Sequence, residues 1–154
     1  MSKSPEVPNE SLVPFATTLH VRDCCLCLHV QRAARSLARL FDEALRPVDL
    51  TNQQFSLLMS LNRPEPPPIG PVANLLGMDR TTLTAALKPL ERRGLLVVTA
   101  GEKDRRSRLL AITPEGIALL AKAMPIWQRT HDAVDARLTE IEPARLRQAL
   151  QAVS

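Results

Sequence analysis

Between Leu76 and Gly116 the chain carries a run of helix stops and starts that few folds satisfy. Leu76-Gly77-Met78-Asp79 closes one helix and opens another: glycine accepts the left-handed turn that ends a helix, and aspartate accepts the free N–H groups that begin one. Leu83, Ala86, Leu87 and Leu90 then recur at helical spacing until Gly94. Two β-like runs, 95–100 and 107–113, flank the turn 101–106 and predict an antiparallel hairpin. Thr113-Pro114-Glu115 starts a further helix, with threonine as cap and proline at the first helical position. Two helices across a tight turn, followed at once by a hairpin, predict a winged helix-turn-helix.

The charge is concentrated where that motif lies. The formal net charge is +4. From Asp79 to Arg108, eight cationic residues (Arg80, Lys88, Arg92, Arg93, Lys103, Arg105, Arg106, Arg108) face four acidic ones (Asp79, Glu91, Glu102, Asp104). That segment therefore carries the whole net charge, and the rest of the chain is balanced. A local cationic patch is the footprint of a polyanion partner; a solvated charged face is the alternative reading. Four of the cations crowd the hairpin tip, where a narrow ribbon reaches phosphates and the minor groove. Aromatic residues make up only 3% and tyrosine is absent, which argues against stacking platforms for single strands or RNA.

The flanking segments are helical. Residues 1–20 hold three prolines and read as a flexible arm. A long amphipathic helix is expected from Asp23 to Leu45, ended by Pro47, within a dimerisation segment spanning 21–48. Thr51 and Gln54 form a capping box for the next helix. A short helix is expected from Ile69 to Leu76 after the stiff loop Asn62–Pro68. The DNA-binding region is assigned to 49–113 and C-terminal dimerisation helices to 114–154. The first of these helices is expected to reach Leu138 with a bend at Pro125, and Glu142-Pro143 starts the last.

In order and spacing, LTNQQFSLLMSL, VANLLGMDRTTLTAALKPLERRGLLVV and GEKDRRSRLLAITPEGIALL resemble the MarR family of winged-helix transcriptional regulators over Leu50–Leu120. The resemblance implies a mainly α fold with a β-hairpin wing, long helices that dimerise, and repression of palindromic operators in double-stranded DNA. It further implies release by a small aromatic effector or by thiol oxidation. On the recognition helix the expected DNA-binding residues are Arg80, Thr81, Thr82, Thr84, Ala85 and Lys88. On the wing they are Lys103, Asp104, Arg105, Arg106 and Arg108. Asp104 and Arg106 match the family's D-x-R pair, in which a carboxylate orients a guanidinium for the minor groove. The departures are Pro89 inside the recognition helix, where a kink is expected, and Pro68 where the family commonly has a capping hydroxyl. An effector crevice lined by Leu28, Phe41, Phe55, Met59, Met124 and Trp127 is expected, although the same residues suit a core.

Cys24, Cys25 and Cys27 are too close together to staple a fold, which fits a reducing, cytoplasmic setting. Three readings stand: inert packing residues, a redox site at Cys27 with Cys24, or ligation together with His20 or His29. The second reading follows the spacing of Cys27 from Thr51, which is similar to the peroxide-sensing branch of the family, though that branch pairs its thiol with tyrosines. No second ligand pair is evident, so no metal and no cofactor is expected. No apolar run is long enough to cross a membrane. Without an ordered nucleophile, base and oxyanion site, or a glycine-rich phosphate loop, an enzyme is not expected. A winged-helix module that binds protein instead of DNA is the rival of a different class.

Overall fold

The computed structural model of the chain describes residues 12–101 and 107–154. Its elements run α1 (Phe15–Cys24), α2 (Leu26–Leu45), a 3-10 turn (Arg46–Val48), α3 (Asn52–Leu61), α4 (Ile69–Leu76), α5 (Arg80–Arg92), β1 (Leu96–Ala100), β2 (Arg108–Ile112), α6 (Pro114–Asp135) and α7 (Pro143–Gln151). Two compact units divide the chain, Met1–Leu37 and Ala38–Ser154.

In the first unit, the arm expected over 1–20 is overturned for its last residues, because α1 begins at Phe15. Pro14 sits at the N-cap position in extended conformation, so every proline of the segment precedes the helix and none interrupts it. Residues 1–11 lie outside the described ones. The single helix expected from Asp23 is also corrected. It breaks at Cys25, whose backbone is extended (φ −74°, ψ 103°). The Cys25 thiol accepts the Leu28 N–H at 3.4 Å, standing where a hydroxyl cap ordinarily does.

In the second unit, leucine fills the core. Leu45, Leu57, Leu58, Leu61, Leu83, Leu90, Leu96 and Leu110 are buried almost completely, together with Val72. The caps follow the sequence closely. Thr51 accepts the Gln54 N–H at 3.2 Å, and the Gln54 amide oxygen accepts the Thr51 N–H at 3.0 Å. Gly77 (φ 62°) closes α4, and its left-handed conformation is one that only glycine adopts without strain. Pro68, at the N-cap of α4, offers no side-chain cap. Both α5 and α6 continue through their internal prolines, Pro89 and Pro125, as single helices; α6 stops at Asp135, short of the expected Leu138.

β1 and β2 pair antiparallel, with Leu96 opposite Ile112 and Ala100 opposite Arg108. At the open end, Gly101 N–H donates to the Ser107 carbonyl at 2.8 Å. The other edge of β2 is covered by the proline loop. Leu110 N–H donates to the Pro67 carbonyl at 2.9 Å, and Pro68 bridges Leu109. Proline lacks a donor but keeps its acceptor, so it suits the outer edge of such a ribbon.

The hairpin is locked to α6 at one point. Thr113 caps α6 by accepting the Gly116 N–H at 3.1 Å, and its hydroxyl donates to the Gly94 carbonyl at 2.7 Å. Gly116 lies against the Leu95 carbonyl oxygen, which a Cβ would meet at 2.2 Å. Backbone is there, not a flexible side-chain end, so nothing yields cheaply. Gly116→Ala is expected to lower stability by about 3 kcal/mol, the upper range for overpacking, whereas Leu75→Ala, at a site 61% exposed, leaves it nearly unchanged. Chemical denaturation of the two variants checks this.

Candidate nucleic-acid interface

The rotation of α5 is set by its buried stripe. Leu83, Leu87 and Leu90 face the core. With 3.6 residues per turn, Thr81, Thr84, Ala85 and Lys88 then share the opposite face, and all four are exposed. Arg80 and Thr82 are exposed at its flanks. All six residues expected on α5 are therefore exposed, with Thr81, Ala85 and Lys88 most nearly opposite the buried stripe.

Their hydrogen bonds distinguish them. Asp79 caps the helix: Oδ1 accepts the Thr82 N–H at 2.8 Å and Oδ2 accepts the Thr82 hydroxyl at 2.6 Å. The Thr84 hydroxyl donates to the Arg80 carbonyl at 2.7 Å. Arg80 folds its guanidinium over the first turn of α4. Its Nη2 lies 3.1 Å from where a Cβ on Gly70 would stand, so glycine there makes room for it. At the far end, Arg93 Nη1 donates to the Asp49 carbonyl at 2.8 Å, tying α5 to the connection that precedes α3. Sequence reasoning did not find the Gly70–Arg80 and Arg93–Asp49 contacts, because nothing in the spacing of these residues marks them.

On the wing, Arg108 opens β2 and is exposed. Lys103, Asp104, Arg105 and Arg106 lie outside the described residues. The last described pair of the hairpin on this side is Gly101 with Ser107.

A cavity of about 450 Å³ lies between α3, α4 and α6. Phe55 and Met59 of α3, Leu75 and Leu76 of α4, and Met124 and Trp127 of α6 line it. Of the six residues expected at an effector crevice, four are therefore together; Phe41 is buried and not among the lining residues, and Leu28 belongs to the first unit. Its polar contribution comes from Ser56 and Ser60, and the Ser60 hydroxyl already donates to the Leu57 carbonyl at 2.6 Å. Trp127 stacks on Phe55 at 6.0 Å and on His131 at 4.7 Å between ring centres.

The three cysteines do not converge. Cys24 Sγ lies 3.6 Å from His20 Nδ1, Cys25 caps α2, and Cys27 Sγ accepts from Gln31 Nε2 at 3.2 Å. Among the described residues no three His, Cys, Asp or Glu side chains are grouped to hold a metal ion.

A profile of the MarR family matches residues 50–107, the segment from Leu50 into the wing. The organic hydroperoxide resistance transcriptional regulator of Bacillus subtilis is 30% identical over 101 residues, covering 66% of this chain and 69% of that protein. The chain belongs to the MarR family. Its matches to two other curated relatives are shorter: it spans 54% of the transcriptional activatory protein BadR of Rhodopseudomonas palustris and 64% of the HTH-type transcriptional regulator SarZ of Staphylococcus aureus. Among solved structures, the Mycobacterium tuberculosis regulator MosR in complex with DNA is 36% identical with a TM-score of 0.76, covering 84% of this chain and 92% of that one. The repressor CouR bound to a 23-mer DNA duplex is 35% identical with a TM-score of 0.66, covering 83% and 88%. This chain is accordingly a DNA-binding transcriptional regulator of the MarR type, mostly helical with a two-stranded wing, and not an enzyme.

The cap of α5 makes a pH prediction. Hydrogen bonds from the Thr82 hydroxyl and N–H hold the Asp79 carboxyl below its ordinary value of 3.8. A depressed carboxyl stabilises the fold fully above its unfolded value and loses that contribution as pH falls through the folded one. The first turn of α5 is therefore expected to loosen in acid below about pH 4. Asp79→Asn, which still caps but does not titrate, should flatten that part of the stability–pH curve measured by thermal melts.

Proposed function

We propose that this MarR-family protein is a homodimeric repressor that holds palindromic duplex DNA with α5 in the major groove and the wing beside it, and that a small aromatic ligand releases it. The observation that carries the DNA-binding half is the exposed stripe Thr81, Thr84, Ala85 and Lys88, fixed outward by buried leucines; the sequence adds the cations Lys103, Arg105, Arg106 and Arg108. Lys88 and Arg108 contact phosphate in this reading, Arg106 enters the minor groove with Asp104 orienting it, and Lys103 and Arg105 add phosphate contacts. The DNA complexes of MosR and CouR support it.

Dimerisation is supported by apolar side chains that the single chain leaves uncovered: Phe15 is 73% exposed and Leu26 60%, and at the C-terminus Leu150 and Val153 are exposed. No residue of α1 or α7 is buried. Two-fold symmetry then asks for half-sites about one helical turn of DNA, roughly 10 bp, apart or a multiple of it.

Because bound phosphates displace counterions, affinity for duplex DNA should fall steeply with salt. Lys88→Ala and Arg108→Ala should each weaken binding for all sequences and lower the slope of log affinity against log salt by about two, one for each half-site of the dimer. Fluorescence anisotropy across a salt series checks this; a flat response contradicts the reading.

The ligand half rests on the cavity. Its volume suits a small molecule, and its described lining carries no charged side chain, which favours an uncharged aromatic compound over a free carboxylate. Trp127 is the only tryptophan of the chain, so its fluorescence reports on the cavity directly. A neutral phenolic ligand that frees DNA should quench Trp127 over the same concentration range. Release with unchanged fluorescence would place the effector elsewhere. Oxidation of Cys27 is the second reading, favoured by the hydroperoxide regulator among the relatives and by the exposure of this thiol. Under that reading, hydroperoxide releases DNA from the native protein but not from Cys27→Ser.

A further inference from the structure

The outward stripe of α5 is chemically lopsided. A threonine hydroxyl has one proton to give. That of Thr84 is on the Arg80 carbonyl at 2.7 Å, and that of Thr82 is on Asp79 Oδ2 at 2.6 Å. Neither is free to donate to a base without breaking a bond inside the helix, and for Thr82 that bond belongs to the cap. The back-bond also orients Thr84: with Oγ1 drawn onto the preceding turn, the γ-methyl is the branch left to the exposed surface. Ala85, the next residue and also exposed, offers a methyl and nothing else. The centre of the stripe is thus a small apolar patch, with Lys88 one turn further on.

In the major groove, only thymine presents a methyl group; guanine presents two acceptors, which call for a donor pair. We propose that α5 reads its half-site by a methyl contact. The Thr84 γ-methyl and the Ala85 methyl pack on the 5-methyl of a thymine, and the Thr84 hydroxyl serves the helix and not the base. This rests on the reading of α5 as the major-groove helix and goes beyond it by naming the group on the DNA that is recognised and the atoms that recognise it.

Deoxyuridine differs from thymidine by that methyl alone, so it isolates the contact. Duplexes bound by the full chain are first selected from a random pool, and each thymine of the enriched half-site is then replaced by deoxyuridine. At one position the affinity should fall about fourfold, and about fifteenfold when both half-sites are replaced, the effect of withdrawing one buried methyl per site. Thr84→Val keeps the shape and the methyl while losing the hydroxyl, and should show the same fold-loss as the native protein when the thymine is replaced by deoxyuridine. Thr84→Ser keeps the hydroxyl and loses the methyl, and should bind more weakly and lose most of that sensitivity.

Duplexes that bind equally well with deoxyuridine at every half-site thymine would overturn the inference while leaving the DNA-binding role intact. So would a Thr84→Val variant that melts normally yet loses its site while Thr84→Ser retains it. Selection that enriches no duplex at all would instead remove the parent reading, and this one with it. The deoxyuridine series uses the native protein, so it decides even if a variant fails to fold.

Discussion

Burial of Leu83, Leu87 and Leu90 in a leucine core is the constraint on which the proposed interface depends. Those three side chains allow α5 one rotation about its axis. Once they are inside, helical geometry leaves Thr81, Thr84, Ala85 and Lys88 outside, whatever their own preferences. The proposed DNA-facing surface is in this sense a by-product of core packing. Pro89 lies in the last turn and a half of α5, beyond the outward stripe and between the buried anchors Leu87 and Leu90.

The second constraint is how the hairpin is held. β2 has β1 on one edge and the Pro67–Pro68 carbonyl edge on the other, while Thr113 joins the end of β2 to both Gly94 and Gly116. The close approach of Gly116 to the Leu95 carbonyl removes slack at the point where α5, β1, β2 and α6 meet. The cavity walls come from α3, α4 and α6, so a ligand there touches the helix that precedes the recognition turn. Differential contact with that helix is what a releasing ligand requires.

Much of this was legible in the sequence because it is written in terminal signals. Thr51 with Gln54, Gly77 with Asp79, Gly94, Thr113 with Pro114, and Glu142 with Pro143 mark ends by local backbone chemistry, and each acts within a few residues of itself. The grouping of Phe55, Met59, Met124 and Trp127 was anticipated only through the family resemblance, as part of an effector crevice. What escaped depends on unusual chemistry or on distant partners. Cys25 caps α2 with sulfur, a role ordinarily filled by oxygen. Pro67 and Pro68 read as loop, since a proline has no N–H to signal a strand, yet the Pro67 carbonyl completes the sheet edge. Gly116 carries no local mark of the backbone packed against it, and the internal bonds of Thr82 and Thr84 are invisible until rotamers are seen.

The central claim is that α5 and the wing together form the surface that meets duplex DNA. Amide hydrogen exchange on the full chain, with and without a bound duplex, tests it most directly. The account predicts slowed exchange over Asp79–Lys88 and over the hairpin turn 101–108, with α7 unchanged. Protection that spares α5 and the turn, and falls instead on α3 or α7, would contradict it.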